Sequence, residues 1–389
     1  MTENIRCIPM RVVAAPDSFK GSLSAKDAAR AMERGVLSAC ADAVVVRKPI
    51  ADGGEGTVDA VLEAVPEGLR LRAAVSGPLN AALEAEYAML PDGTAVFELA
   101  AASGLTLLPA EDLRPLEAST HGTGELIRAA LDRGCRQIVI GLGGSATTDG
   151  GTGLLRALGC RFLDASGDEL GPGGAELLRL DRIDRTGLHP RLAEVAVTLC
   201  CDVTNPLCGP EGAAAVYGPQ KGADTRQVAQ LDHALERFAD VLEATTGSDE
   251  YRSLPGGGAA GGTGAGLAAL LGAALKPGFG LLAELTNLEA AIAGADLVLT
   301  GEGRTDNQTL NGKVPVGVAR LARRCGVPVV VLSGGIGPGA EGLYGERITA
   351  IFGLPDKPME LREAMNGAEA LLERAAGNVA RLFAAGQSR

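Results

Sequence analysis

At both ends of the chain, short apolar runs end in glycine-rich loops and are followed by amphipathic segments. This alternation predicts parallel strands joined by helices. Arg11 to Ala15 predicts a buried strand. A helix is expected from about Ala25 to Ala39, with Ala28, Ala31, Met32, Gly35 and Val36 on one stripe and Ser24 as N-cap. Ala43 to Val46 predicts a second strand, and a helix from about Thr57 reaches Ala64. The last third repeats the theme, with strands at Leu297 to Thr300, Val327 to Leu332 and Ile348 to Leu354. There Gly312-Lys313 opens a helix to Cys325, and an amphipathic helix closes the chain over Pro358 to Ala385. The middle has another texture. Leu69 to Val75, Leu83 to Leu90 and Thr94 to Leu99 read as strands with no helix between them, and Pro91-Asp92-Gly93 is a hairpin turn. Further on, a helix ends at Arg133 with Gly134 as its stop, Ile138 to Ile140 and Val195 to Leu199 read as strands, and a long helix starts at Thr225.

The expected architecture is α/β with two domains. A Rossmann-like parallel-sheet domain is formed by the N- and C-terminal parts, residues 1–76 plus 285–389, and a second α/β domain, residues 77–284, is inserted. The active site is expected in the cleft between them, because open parallel sheets bind ligands at the carboxyl ends of their strands. The 389 residues exceed what one core usually holds. A net charge of −12 argues against nucleic acid and anionic membranes as partners, and 3% aromatic content with no Trp argues against base stacking. The uncharged stretch from Ser253 to Leu275 is long enough to span a bilayer, but Pro255 and its many glycines make it a loop entering a buried helix. Met1 to Met10 shows no secretory signal, and the eight cysteines show no C-x-x-C spacing. A cytoplasmic protein with reduced, packed thiols is expected.

The candidate chemistry sits at the predicted strand ends. Between Ile138 and Gly151 an apolar run enters five glycines, three hydroxyl residues and Asp149. Inward-turned N–H groups there suit an anion, with Asp149 available for a cation; the alternative is a tight turn with an aspartate cap. Asp17, Ser18 and Lys20 follow the first strand, Asp52 and Glu55 the second, and Asp202 and Asn205 the strand ending near Leu199. For the last pair an Asx turn before Pro206 is the alternative. His121 opens a helix as a phosphate contact or a cap. Lys221, Arg304 and Lys313 are loop cations, and Glu302 and Asp306 loop carboxylates. A Walker A motif fails at Asn307 and Val314, and protein-kinase signatures are absent. Two dinucleotide-fingerprint matches, at Gly141 and Gly256, carry little weight in a chain with 55 glycines, so a dehydrogenase is disfavoured.

Six blocks taken together resemble the bacterial type-1 glycerate kinase family. They are Ala-Pro-Asp-Ser-Phe-Lys-Gly (15–21), Pro-Ile-Ala-Asp-Gly-Gly-Glu-Gly-Thr (49–57), Gly-Gly-Ser-Ala-Thr-Thr-Asp-Gly-Gly (143–151), Cys-Asp-Val-Thr-Asn-Pro-Leu (201–207), Gly-Pro-Gln-Lys-Gly (218–222) and Gly-Glu-Gly-Arg-Thr-Asp (301–306). The resemblance spans nearly the whole chain. It implies ATP-dependent phosphorylation of D-glycerate to 2-phosphoglycerate, with the 3-product left open, and ATP and Mg2+ as cofactors. Phosphoryl transfer needs cradled phosphates, a metal, a cation on the transferring group and a base. On that chemistry, not on spacing, Asp202 is the first choice of base and Asp52 the second, with Lys20 as the catalytic cation. Asp17, Ser18, Asn205, Arg304 and Lys313 are assigned to the substrate. Gly143, Gly144, Ser145, Thr147, Thr148, Gly150, Gly151, Lys221, Gly262 and Gly264 are assigned to ATP, and Asp149, Glu302 and Asp306 to the metal. A kinase or phosphatase for another small hydroxy acid, and a non-catalytic anion-binding protein, are the competing readings.

Overall fold

The computed structural model describes residues 10–51 and 53–387. Its strands are β1 (Arg11–Ala14), β2 (Val44–Arg47), β3 (Leu69–Ser76), β4 (Ala82–Met89), β5 (Thr94–Glu98), β6 (Gln137–Gly141), β7 (Arg161–Leu163), β8 (Arg182–Asp184), β9 (Ala196–Cys200), β10 (Ala274–Lys276), β11 (Leu297–Glu302), β12 (Val329–Ser333) and β13 (Ala350–Gly353). The chain divides into two compact units, one of Met1–Asp52, Asp59–Pro66 and Phe279–Arg389, the other of Gly53–Val58 and Glu67–Gly278. The first break therefore falls before β3, not after it. β3 pairs antiparallel with β4 along its whole length, from Leu69 opposite Met89 to Ser76 opposite Ala82, and so belongs to the inserted sheet.

The first unit carries a five-stranded, all-parallel sheet in the order β13-β12-β11-β1-β2. Counted along this unit, that is the doubly wound order 2-1-3-4-5, a relative of the expected Rossmann arrangement. Val12, Ala14, Leu297, Leu299, Val330 and Leu332 face a core shared with residues of helices Ala25–Ala39 and Ala368–Gln387. Val13, Val298 and Val329 face a core shared with helices Leu288–Ala293 and Val314–Cys325. Both faces are covered, which is why these strands read as continuous apolar runs. Ser24 caps its helix as expected, accepting from Asp27 N–H. The helices Ala25–Ala39 and Ala368–Gln387 cross so closely that a Cβ on Gly35 would lie 2.1 Å from the Glu373 carbonyl oxygen. The expected closing helix is two, Leu361–Asn366 and Ala368–Gln387, broken at Gly367.

The inserted unit holds a six-stranded sheet in the order β10-β9-β6-β5-β4-β3. β10, β9, β6 and β5 run parallel, and β4 and β3 add the antiparallel edge around the Pro91-Asp92-Gly93 turn. β7 and β8 form a separate two-stranded ribbon in a stretch whose pattern looked irregular. Tyr87 and Phe97 stack 5.1 Å apart in the core, one of the few aromatic pairs so poor a composition allows. The Ser253-to-Leu275 stretch is a loop and the buried helix Ala259–Leu271, as expected, and no helix among the described residues is long and apolar enough to cross a membrane. Six described cysteines are free thiols. Cys40 departs from the expectation, being disulfide-bonded.

Candidate active site

In the first unit the chain leaves β1 for β2 on one side, whereas β11 continues to β12 on the other. This switch point between β1 and β11 is where such sheets open a crevice. The loops that end the two strands are locked together there. Asp17 N–H donates to Gly301 O at 2.8 Å, and a Cβ on Gly303 would lie 3.2 Å from the Lys20 amide nitrogen. Phe19 is buried and anchors the first loop, leaving Ser18 and Lys20 exposed and Asp17 half-buried. Asp17 Oδ1 accepts from Ser18 N–H at 2.6 Å.

From the second loop, Glu302 turns inward. It is 5% exposed, accepts from Thr309 Oγ1 at 2.6 Å and lies 3.7 Å from Lys313 Nζ. Burial pushes its carboxyl pKa up, against the pull of Thr309 and Lys313. Arg304 is largely exposed, with its Nε held by Asp306 Oδ2 at 3.1 Å. Asp306 is occupied as a cap: its side chain accepts from Gln308 N–H at 2.9 Å, and its N–H donates to Thr309 Oγ1. Lys313 sits at the N-cap of Val314–Cys325, so the loops after β1 and β11 carry three cations, Lys20, Arg304 and Lys313, and a helix N-terminus. Ser333 and Thr305 were missed by the sequence reading. Ser333 Oγ accepts from Thr305 N–H at 3.2 Å and ties the β12 end to the β11 loop. The available signal was the Ser-Gly-Gly triplet, whose serine ends β12.

The inserted unit gathers the other candidates at the carboxyl ends of β5, β6 and β9. The two glycine-rich stretches do not lie open as phosphate cradles; over most of their length they pack on each other. Gly150 N–H donates to Gly261 O at 2.9 Å, and a Cβ on Gly261 would lie 2.1 Å from Thr147 O. Gly261 itself has φ +68, a conformation that favours glycine. Thr147, Thr148, Gly150, Gly151, Gly262 and Gly264 are buried, so these six offer no surface to a nucleotide. Only Gly143 and Gly144 reach solvent, with Ser145 8% exposed beside them.

Asp149 is corrected in the same way. It has no exposed surface, and its carboxylate accepts from Thr120 N–H and Oγ1 at 2.9 Å each, Gly151 N–H at 3.1 Å and Gly153 N–H at 3.2 Å. It organises the loop and has no outward face for a metal. Burial pushes its pKa up, and the four donors oppose that. Asn205 is likewise an internal clamp: Nδ2 donates to Glu211 O at 2.8 Å, and Oδ1 accepts from Tyr217 Oη at 2.6 Å. Asp202 is exposed, with Oδ1 accepting from Gly278 N–H at 2.8 Å. Asp52, the second candidate base, lies outside the described residues. Glu55, next in that block, accepts from Thr106 Oγ1 at 2.8 Å. His121 is half-exposed, its Nε2 3.6 Å from Glu125 Oε1.

Lys221 is 2% exposed and donates to Ser145 Oγ at 3.0 Å and Thr147 O at 2.5 Å. Burial pushes its pKa down to about 7, with Asp149 working in the opposite direction. An unfolded lysine keeps its proton to about pH 10. Between those values the unfolded chain holds a proton that the folded chain lacks, so this group's contribution to stability rises with pH. The stability difference between wild type and Lys221→Met, read by urea unfolding, is therefore expected to shift in favour of wild type by roughly 2–3 kcal/mol between pH 6 and pH 9. A difference independent of pH would contradict a depressed lysine.

A doubly wound sheet with lysine and arginine side chains on its switch-point loops places the protein among the open α/β folds that bind ligands at the carboxyl ends of their strands. The family model described as glycerate kinase family matches residues 12–384, and the chain belongs to that family. A glycerate kinase of Halalkalibacterium halodurans is 48% identical over 95% of this chain and 97% of its own length. The glycerate 2-kinase of Escherichia coli is 45% identical over 97% of this chain and 99% of its own length. The crystal structure of a Salmonella typhimurium LT2 protein assigned as glycerate kinase 2 superposes with a TM-score of 0.88 at 44% identity, covering 98% of this chain and all of that one.

Proposed function

We propose that the protein transfers the γ-phosphoryl group of ATP to the 2-hydroxyl of D-glycerate, giving 2-phosphoglycerate and ADP. The observation that supports this within the family is the β1–β11 switch point, where Lys20, Arg304 and Lys313 stand on the connecting loops and Glu302 is a buried carboxylate 3.7 Å from Lys313 Nζ. The substrate carboxylate needs a cation, which Arg304 supplies as a planar donor fork braced by Asp306. The transferring phosphoryl needs another, supplied by Lys20. The attacking hydroxyl also needs a base, and Asp202 of the inserted unit, fixed through Oδ1 by Gly278 N–H, is the candidate by its chemistry. The oxygen–γ-phosphorus bond forms as the β–γ bridge bond breaks and ADP leaves.

Among the described residues no three acidic, His or Cys side chains group as a metal cage. Mg2+ seldom needs one, because it arrives on the nucleotide phosphates and takes one or two carboxylates. Glu302 fits that requirement, whereas Asp149 and Asp306 are committed to internal donors. When bound, the ion neutralises charge on the β- and γ-oxygens. ATP as donor supports a cytoplasmic location, and the net charge of −12 supports a small ligand rather than a nucleic acid.

Phosphorus NMR of the protein with ATP, Mg2+ and D-glycerate tests the reading. A new phosphomonoester doublet, split by the single C2 proton, is expected; a triplet from two C3 protons would move the product to 3-phosphoglycerate. An unchanged ATP spectrum would sink the glycerate assignment in favour of another hydroxy acid.

A further inference from the structure

The exposed tip of the first glycine-rich loop has unspent donors. Gly143 N–H is used by Gly53 O at 3.2 Å, and Ala146 N–H by Ser103 O at 2.9 Å. Between them, neither Gly144 N–H nor Ser145 N–H has an acceptor among the described residues. Gly144 is in the left-handed region, at φ +73, so two consecutive N–H groups stand at a turn of the kind that forms an anion nest. The side chain of Ser145 adds to this. A protonated lysine has only donors, so Ser145 Oγ must be the acceptor in its 3.0 Å bond from Lys221 Nζ. The hydroxyl hydrogen is then left over, and no described group accepts it. Three donors are thus directed at the exposed tip, open to an incoming oxyanion.

The geometry points to Gly144 and Ser145 as an oxyanion-binding tip, with Lys221 as the positioning residue that turns the Ser145 hydroxyl into a donor. Lys221 touches no ligand itself, being 2% exposed; it fixes the polarity of Ser145 and holds the loop through Thr147 O. Two oxyanions fit the chemistry, a nucleotide phosphate and the glycerate carboxylate. A Cβ on Gly144 would lie 4.0 Å from Glu55 Oε1, so a bare anion meets a carboxylate there. An anion that brings its own cation is favoured, and the nucleotide is the expected ligand. The choice between these two ligands rests on the proposed kinase reading; the donor arrangement does not.

Calorimetric titration at pH 6, where Lys221 holds its proton, tests this with Mg·ADP and D-glycerate in separate arms. Ser145→Ala is expected to weaken Mg·ADP binding roughly tenfold or more, as for a hydrogen bond to a charged group, with D-glycerate binding unchanged. Ser145→Thr should restore most of the affinity. Lys221→Met should weaken binding in the wild-type background and much less in the Ser145→Ala background, the signature of a residue acting through another. A loss confined to the D-glycerate arm would keep the oxyanion tip and assign it the substrate. Wild-type affinity of Ser145→Ala for both ligands would overturn the proposal. Equal losses from Lys221→Met in both backgrounds would remove the positioning role. Wild-type protein that binds Mg·ADP through Ser145 yet never phosphorylates D-glycerate would sink the functional reading and leave this one standing.

Discussion

Replacing Asp149 with alanine is expected to destabilise the inserted unit by about 3–5 kcal/mol, the range for breaking a buried charged network by removing one partner. Three backbone N–H groups and the Thr120 hydroxyl lose their acceptor at once, in a place with no exposed surface to let water replace it. Lys221 loses the carboxylate that opposes its desolvation. In a unit of this size each kcal/mol lowers the melting midpoint by about 2–4 °C, so a fall of roughly 10 °C or more should appear in a thermal scan. Asp149→Asn keeps the volume and one acceptor oxygen and should fall between. A magnesium ligand would behave differently, giving a variant that melts like wild type and needs more Mg2+ for activity. That pattern would overturn the structural role assigned to this aspartate.

Asp149 also shows where the sequence stopped being informative. Its block was recognised as unusual because glycine at five positions must serve a close approach. What approaches is not written locally. A ligand phosphate and a second glycine-rich segment of the same protein demand the same residue type, and here the partner of Gly150 is Gly261, more than a hundred residues on. The hydroxyls of Thr147 and Thr148 added to the resemblance to a phosphate loop, yet both residues are fully buried.

Elements whose signal is local were legible. The strands of the parallel sheet, the Ser24 cap, the Pro91-Asp92-Gly93 hairpin and the helix from Val314 all depend on neighbours within a few residues. Strand order was not legible, because nothing in β11 says that it will lie beside β1 rather than β2. The unit boundary moved for a related reason. β3 follows two βα units and resembles their strands, but its pairing with β4 claims it for the other sheet. Of the site, the residue types at strand ends were readable, whereas their division between ligand and scaffold was not. Asn205 and Tyr217, twelve residues apart, join only once the loop between them folds.

The proposed function divides two jobs at the switch point between two cations, and kinetics should separate them. Arg304 carries a guanidinium whose Nε is held by Asp306, so the rest of its fork is presented at low entropic cost. Lys20 has no described ion-pair partner and sits on a loop fixed by buried Phe19. A carboxylate is present in substrate and transition state alike, so Arg304→Ala should chiefly raise the KM for D-glycerate, by roughly a hundredfold, with kcat little changed. Arg304→Lys should recover little, because an ammonium cannot reproduce two parallel N–H bonds. Charge on the transferring phosphoryl develops in the transition state, so Lys20→Met should instead lower kcat about 10²–10³-fold, with a smaller effect on either KM. Both variants replace exposed side chains and should melt as wild type does. If Lys20→Met moved only the KM for D-glycerate, the two roles would be exchanged. If neither variant changed kcat or KM, this crevice would not be the place where phosphoryl transfer occurs.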